Sequence, residues 1–194
     1  MKLNKNIKKL FIFGKSISDI LPSYLQKIYI YKNSLNLEIK ATNLYKIVNY
    51  LKHNFRTNYK ILIDLTAIDR PGKSQRFLLY YSLLSIKNNA RIFIIMKLLE
   101  LESINSLTKY YSSAGWLERE VWDLFGIFFT HHSDLRRILT DYGFKGFPLR
   151  KDFPLSGFVE LQYDEETKLV SYFALELTQE YRNYNLLSPW YLKK

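Results

Sequence analysis

The sequence predicts an α+β fold: an antiparallel sheet packed with helices, followed by an extended C-terminal arm with a short hairpin. Three observations lead there. Leu44, Ile47, Val48 and Leu51 recur at i, i+3, i+4 and i+7, the spacing of one helix face. Three β-rich runs between residues 59 and 98 are joined by short connections, the pattern of an antiparallel meander. Between residues 115 and 157 the chain concentrates charge, five of its seven glycines and two of its five prolines, and strand-like alternation returns only from 158 to 177.

The first helix is expected over residues 42–54, with Thr42 as its N-cap. In the first strand, Tyr59, Ile61, Ile63 and Leu65 alternate with Lys60, Leu62, Asp64 and Thr66, and Asp69-Arg70-Pro71-Gly72 breaks the run. Residues 75–86 give the second apolar run, Asn88-Asn89 a turn, and Ala90 to Leu98 the third strand. The amphipathic helix covers one face of that sheet. Ile104, Leu107 and Tyr111 repeat at helical spacing and lead into a short helix over 116–125. Its stripe is Leu117, Val121, Leu124 and Phe125, and Gly126 stands where helices commonly end. Val159, Leu161 and Tyr163, a polar turn at Asp164 to Thr167, and Leu169, Ser171, Phe173 and Leu175 suggest a terminal hairpin, either a partner-facing arm or a late addition to the sheet. The division expected is residues 1–112 as the α+β domain and 113–194 as the charged segment with its arm.

With 194 residues the chain is long enough for one well-cored domain plus an appendage. No apolar run approaches the ~20 residues needed to cross a bilayer, so a soluble or peripheral protein is expected. The lack of cysteine excludes disulfides, thiolate-held iron–sulfur clusters and a thiol nucleophile. The net charge of +11 is uneven: residues 1–115 hold 19 Lys/Arg against 6 Asp/Glu, residues 116–157 balance at 6 and 6, and residues 158–194 hold 4 against 6. A basic front half invites a nucleic-acid reading. The lysines are scattered rather than clustered, however, which favours a solvated basic surface facing anionic lipid or an acidic partner. The first ten residues contain no arginine and lack the Arg/Ser richness of a transit peptide, so they are read as part of the mature protein. The abundance of Lys, Asn, Ile, Tyr and Phe hints at an A/T-rich, organellar gene.

The chemistry-bearing residues form no familiar catalytic set. Glu118 and Glu120 fall in the expected first turn of the 116–125 helix, where the helix dipole favours anions. Arg119 and Asp123 lie four apart in the weaker order for an intrahelical pair. This cluster reads either as a solvated helix face or as charged anchors for a partner. The second cluster soon after it, Asp134, Arg136 and Arg137, favours anchors. His131 and His132 are adjacent and His53 is the only other histidine, which leaves no metal clamp. No Gly-x-Ser-x-Gly elbow and no phosphate-binding glycine loop is present. Arg150 and Lys151, between Pro148 and Pro154, sit on a stiff extended segment suited to ion pairing across an interface.

The run Glu118-Arg119-Glu120, Asp123, Leu124-Phe125, His132, Arg136 and Ile138-Leu139 has the spacing of a family signature. With Leu139-Thr140-Asp141-Tyr142-Gly143-Phe144, Pro148-Leu149-Arg150-Lys151-Asp152-Phe153-Pro154-Leu155, Gln179-Glu180-Tyr181-Arg182 and Ser188-Pro189-Trp190, it resembles the 30-kDa subunit family of respiratory complex I, the proton-translocating NADH:ubiquinone oxidoreductase. Two departures stand out: Phe147 where the family usually has His, and Ser133 for a common Pro. The resemblance implies an α+β fold whose extended C-terminal segment wraps the 49-kDa subunit of the peripheral arm. It also implies contact with the subunit holding the terminal iron–sulfur cluster, on the matrix side of the mitochondrial inner membrane, with the membrane reached only through the complex. On that reading Glu118, Arg119, Glu120, Asp123, His132, Asp134, Arg136, Arg137, Asp141, Arg150, Lys151 and Asp152 serve the partner interface. No catalytic group and no cofactor is expected in this chain. NADH, FMN, iron–sulfur clusters and ubiquinone belong to other subunits, and no nucleic acid is bound. The alternatives are a basic organellar RNA-binding or ribosomal protein, and the related subunit of a membrane-bound hydrogenase.

Overall fold

The structure is a computed structural model describing residues 5–182, 184, 186 and 190. The first four residues and the Ser188-Pro189 pair lie outside these. Helix α1 (Lys5–Ile20) leads into strands β1 (Leu25–Tyr31) and β2 (Ser34–Ile39). A 3-10 turn at Ala41–Asn43 precedes α2 (Leu44–His53), followed by β3 (Ile61–Asp69), β4 (Phe77–Ser85) and β5 (Ala90–Leu98). Next come β6 (Ile104–Asn105), α3 (Ala114–Phe125) and β7 (Phe129–Thr130). The hairpin β8 (Val159–Asp164) and β9 (Leu169–Ala174) closes the series. Among the described residues no helix is long and apolar enough to cross a membrane.

The α+β class stands, with one correction to the sheet. Its order is β1-β2-β5-β4-β3, and β3-β4-β5 is the expected antiparallel meander. β2 pairs with β5 in parallel, however, so the sheet is mixed. The cause is the α2 crossover, which carries the chain to the far edge so that β3 runs in the direction of β2. Two reversals later β5 returns beside β2 with the same polarity. The β1–β2 turn places Lys32 and Asn33 at φ 46° and 61°, the left-handed pair that a two-residue hairpin needs.

One face of the sheet carries the core. Leu35, Leu37 and Ile39 of β2 meet Ile92, Ile94 and Met96 of β5, Leu79 and Tyr81 of β4, and the α2 stripe Leu44, Ile47, Val48 and Leu51, all buried. Burying such side chains stabilises by ~1.5–3 kcal/mol each. In β3 the expected inward set is corrected: Leu62, Leu65 and Ala67 are buried while Ile61 and Ile63 are exposed. An irregularity between Leu62 and Asp64 in the pairing with β4 shifts the alternation by one residue. Thr42 does not cap α2: it lies within the 3-10 turn, and Asn43 precedes the helix without a side-chain cap bond.

The helical spacing of Ile104, Leu107 and Tyr111 is also misleading. All three are buried, yet no helix forms there. Ile104 and Asn105 pair in parallel with β7. Ladder bonds from Ile104 N–H to Phe128 O (3.0 Å) and from Ser106 N–H to Thr130 O (2.9 Å) hold the start of the segment extended, and Leu107 N–H donates to the Glu118 carboxylate (2.7 Å).

The chain forms two compact units, one through Phe153 and one from Pro154 onward. The compositional change at 112/113 therefore falls inside the first unit, where α3 packs on β3. The second unit holds the expected hairpin. Its register aligns Val159 with Ala174, Leu161 with Tyr172 and Tyr163 with Val170 on one face, and all six are exposed. A two-stranded hairpin with an exposed apolar face is marginal by itself. Replacing Leu79 (0% exposed) by Ala should cost roughly 2–5 kcal/mol in urea unfolding of the purified chain, whereas Leu161→Ala (53% exposed) should cost less than about 0.5 kcal/mol. Equal losses would show that the hairpin has a core of its own.

Candidate functional site

The charged signature is built around the C-terminal end of α3. A helix leaves its last four carbonyls without intrahelical donors. Here, beyond the last helical bond to Trp122 O, residues of the signature meet the carbonyls of Asp123, Leu124 and Phe125. Trp122 O accepts from Gly126 N–H (2.9 Å), Asp123 O from an Arg137 guanidinium N–H (3.1 Å), Leu124 O from Leu149 N–H (3.1 Å) and Phe125 O from Arg150 Nε (2.7 Å). Gly126 makes the turn at φ 76°, as its position in the sequence suggests. A Cβ there would stand 2.6 Å from Phe147 and 2.7 Å from Arg150, so only glycine lets the returning loop close on the helix.

Asp123 anchors that loop. Its side chain is fully buried and accepts from the backbone N–H groups of Ile138, Leu139 and Thr140 at 3.2, 2.7 and 2.9 Å, from Thr140 Oγ1 at 2.6 Å and from Arg137 at 2.9 Å. Burial by itself would raise the carboxyl's pKa. The donors from Thr140, Leu139 and Arg137 outweigh it and hold the group well below the usual carboxylate range. Arg137 also donates to Gly146 O (2.9 Å) and lies over the Phe147 ring.

A second ionic cluster ties the loop to the sheet. Arg76 grips Asp69 through two N–H donors (2.8 and 3.0 Å) and also reaches Glu100 (3.0 Å) and Asp152 (2.8 Å). Arg150 shares Glu100 (2.9 Å), and Lys151 N–H donates to Asp69 (2.8 Å). The bidentate bond from Arg76 is the main cause that lowers the Asp69 pKa.

Glu118 is the third centre. The helix begins at Ala114, two residues earlier than expected, so Glu118 and Glu120 are not in its first turn. Ser113, before the helix, makes no cap bond and instead donates Oγ–H to Leu62 O (3.0 Å), fixing α3 against β3. Glu118 is fully buried and accepts from Ser106 Oγ (2.5 Å) and Leu107 N–H (2.7 Å). Its Oε2 lies 3.8 Å from Nε2 of His132. The N–H of Asp134 donates to His132 Nδ1 (3.0 Å), which leaves Nε2 as the donor to Gly115 O (3.2 Å) in the neutral ring. Burial pushes the Glu118 pKa from 4.5 up to about 7, against the opposing pull of the Ser106 and Leu107 bonds.

The predicted interface residues thus divide. Glu118 and Asp123 are fully buried, Arg137 and Arg150 are largely engaged inside the chain, and the His132 side chain is almost covered. Arg119 donates to the carbonyls of Arg136 and Arg137 and lies over Trp116. Asp134, Arg136, Asp141, Lys151 and Asp152 are exposed, and Glu120 is half-buried. Asp69, Arg76 and Glu100 belong to the site but lie outside the signature. The only sequence signal for them is an acid at the end of a strand and a base at the start of the next. Among the described residues no group of three or more His, Cys, Asp or Glu side chains could hold a metal.

Residues 37–159 match the family described as the respiratory-chain NADH dehydrogenase 30-kDa subunit. The chain belongs to that family. Over 98% of its length it is 48% identical to NADH-ubiquinone oxidoreductase subunit 9 of Reclinomonas americana, covering 93% of that protein. It is 45% identical, again over 98% of its length, to NADH-ubiquinone oxidoreductase subunit 9 of Acanthamoeba castellanii, covering 98% of it. A solved trypsin-resistant fragment of Nqo5 superposes with a TM-score of 0.54 at 23% identity, over 67% of this chain and 99% of the fragment. At that identity the likeness speaks for the fold alone. The complex I 30-kDa family is the one that the Glu118–Leu139 signature resembles.

The buried Glu118 makes a pH prediction for this 30-kDa-type chain. Because its folded pKa is raised, proton binding favours the folded state. The contribution is fully present below pH 4.5 and is lost as pH rises to about 7, a swing of about 3 kcal/mol. Asp123, with its lowered pKa, acts in the opposite sense and only below its ordinary range near 3.8. Urea midpoints of the purified chain should therefore fall between pH 5 and 7, and Glu118→Gln should flatten that slope. An unchanged slope in the variant would assign it to another group.

Proposed function

We propose that this chain is a non-catalytic core subunit of proton-translocating NADH:ubiquinone oxidoreductase that stabilises the quinone-reducing module by docking on the 49-kDa subunit. One observation carries the reading. The hairpin presents an exposed apolar face that includes Val159, Leu161, Tyr163, Val170 and Ala174. An exposed contiguous apolar face of this kind marks an interaction site. The internal ion pairs support the reading differently: they hold a rigid loop that projects Asp134, Arg136, Leu139 and Tyr142 outward.

On this proposal the electrons travel through FMN, iron–sulfur clusters and ubiquinone bound by neighbouring subunits. This chain contributes surface to the 49-kDa partner and to the subunit holding the terminal cluster. It sits on the matrix side of the mitochondrial inner membrane and meets the membrane only through the complex. Subunit 9 of Reclinomonas americana, its relative at 48% identity, is named for the same enzyme. The RNA-binding, ribosomal and hydrogenase alternatives are not favoured, because the matched family is that of respiratory-chain NADH dehydrogenase.

Three variants separate docking from folding. Arg136→Glu, at a side chain 72% exposed, and Leu161→Asp should leave the purified chain folded but lower the amount of assembled complex on native gels. Arg150→Glu should instead destabilise the chain itself, since it strips Phe125 O of its side-chain donor and sets a carboxylate beside Glu100 in place of one of its two guanidinium partners. Normal assembly with both Arg136→Glu and Leu161→Asp would defeat the docking role.

A further inference from the structure

The sheet has two edges, and they differ. At β3, α3 lies against the strand, the carbonyl of Leu62 accepts from Ser113 and the N–H of Leu65 donates to its neighbour Asp64. At β1, no hydrogen bond among the described residues joins the strand to anything but β2. Seven residues, Leu25–Tyr31, thus present a free row of backbone donors and acceptors.

The surroundings of that row are specific. Ile28 and Ile30 point to the core side, where an apolar slot of about 580 Å³ runs between β1 and α1, bordered by Leu10, Phe11, Gly14 and Leu35. Gly14 keeps helix and sheet close there: a Cβ would lie 3.1 Å from Leu35 and 3.5 Å from Ile28. On the opposite face stand Tyr29 and Tyr31, with Lys27 over the first ring and Lys32 over the second, both at 5.4 Å. Lys15 and Asp19 of α1 border the slot.

We propose that β1 is a docking edge, where an extended segment of a neighbouring polypeptide adds a sixth strand, its apolar side chains entering the slot beside α1 and its carboxylates facing Lys27 and Lys32. Alternation of side chains along a strand delivers both sets from one segment. A lipid tail would fill the slot but leave the edge N–H and C=O groups unpaired, which hydrocarbon does not tolerate. A second copy of the chain would bring lysine towards lysine. The bulge between Leu25 and Lys27 further resists indiscriminate pairing.

Hydrogen–deuterium exchange on the full chain, alone and in assembled complex, reads the edge directly. Amides within residues 25–31 should exchange at least 100-fold more slowly in the complex. Unchanged exchange there, with protection confined to the signature loop and hairpin, would overturn this proposal while leaving the docking reading intact. Protection already present in the isolated chain and rising with its concentration would mean self-pairing, and would overturn it too. If the isolated chain does not fold, Tyr31→p-benzoylphenylalanine in the intact complex decides. A photo-cross-link to a peptide of alternating apolar and acidic residues, weakened by Lys27→Glu, supports the added strand, and a link to lipid or none at all refutes it.

Discussion

The backbone at the end of α3 imposes the constraint on which the signature depends. Carbonyls of its last turn need donors from outside the helix, and the chain supplies them to Asp123, Leu124 and Phe125 from residues 137, 149 and 150, up to 25 positions beyond the helix. A segment that must return to satisfy a helix end cannot wander. This explains how a region with almost no regular structure, from 131 to 153, holds a defined path. Asp123 reinforces it from the side-chain level, collecting three consecutive backbone N–H groups into one buried carboxylate. A carboxylate so surrounded is charged without solvent, and its removal would leave several donors unmatched at once.

This arrangement changes what the charged motif means. Read as letters, Glu-Arg-Glu and Arg-Arg suggest a surface ready for a partner. In three dimensions much of that charge organises the chain itself, and apolar or aromatic side chains, as at Leu139, Tyr142 and the hairpin face, stand exposed alongside the remaining charges. Exposed ion pairs such as Asp134–Arg136 contribute little energy in water. Buried polar groups with complete partners fix geometry, and geometry makes a large apolar contact selective.

Much of the fold was legible from periodicity. The α2 stripe, the β3–β4–β5 meander, the Asn88-Asn89 turn, the Gly126 stop and the β8–β9 hairpin follow from local pattern, because each is settled by neighbours in sequence. What escaped was decided by distant partners. The Ile104–Tyr111 spacing looks helical until pairing with β7 draws its first residues into a strand. The phase of β3 turns on a bulge that leaves no mark in the letters. α1 and β1 eluded periodicity because both carry apolar side chains on exposed as well as covered sides, Phe11, Ile12 and Tyr31 among them. Of the site, the signature residues were visible as a motif. Arg76 and Glu100 were not, since only the sheet brings them beside Arg150.

Phe147 lies between two guanidinium groups, with Arg137 5.0 Å and Arg150 4.6 Å from its ring and Trp122 edge-on at 5.8 Å. A benzene ring attracts cations through its face and has no ionisable site. An imidazole in the same place would become a third positive charge on acidification and push the arginines apart. With a hydrocarbon wedge there, no titrating group stands between Arg137 and Arg150, and the element of the signature that changes charge near neutral pH is Glu118.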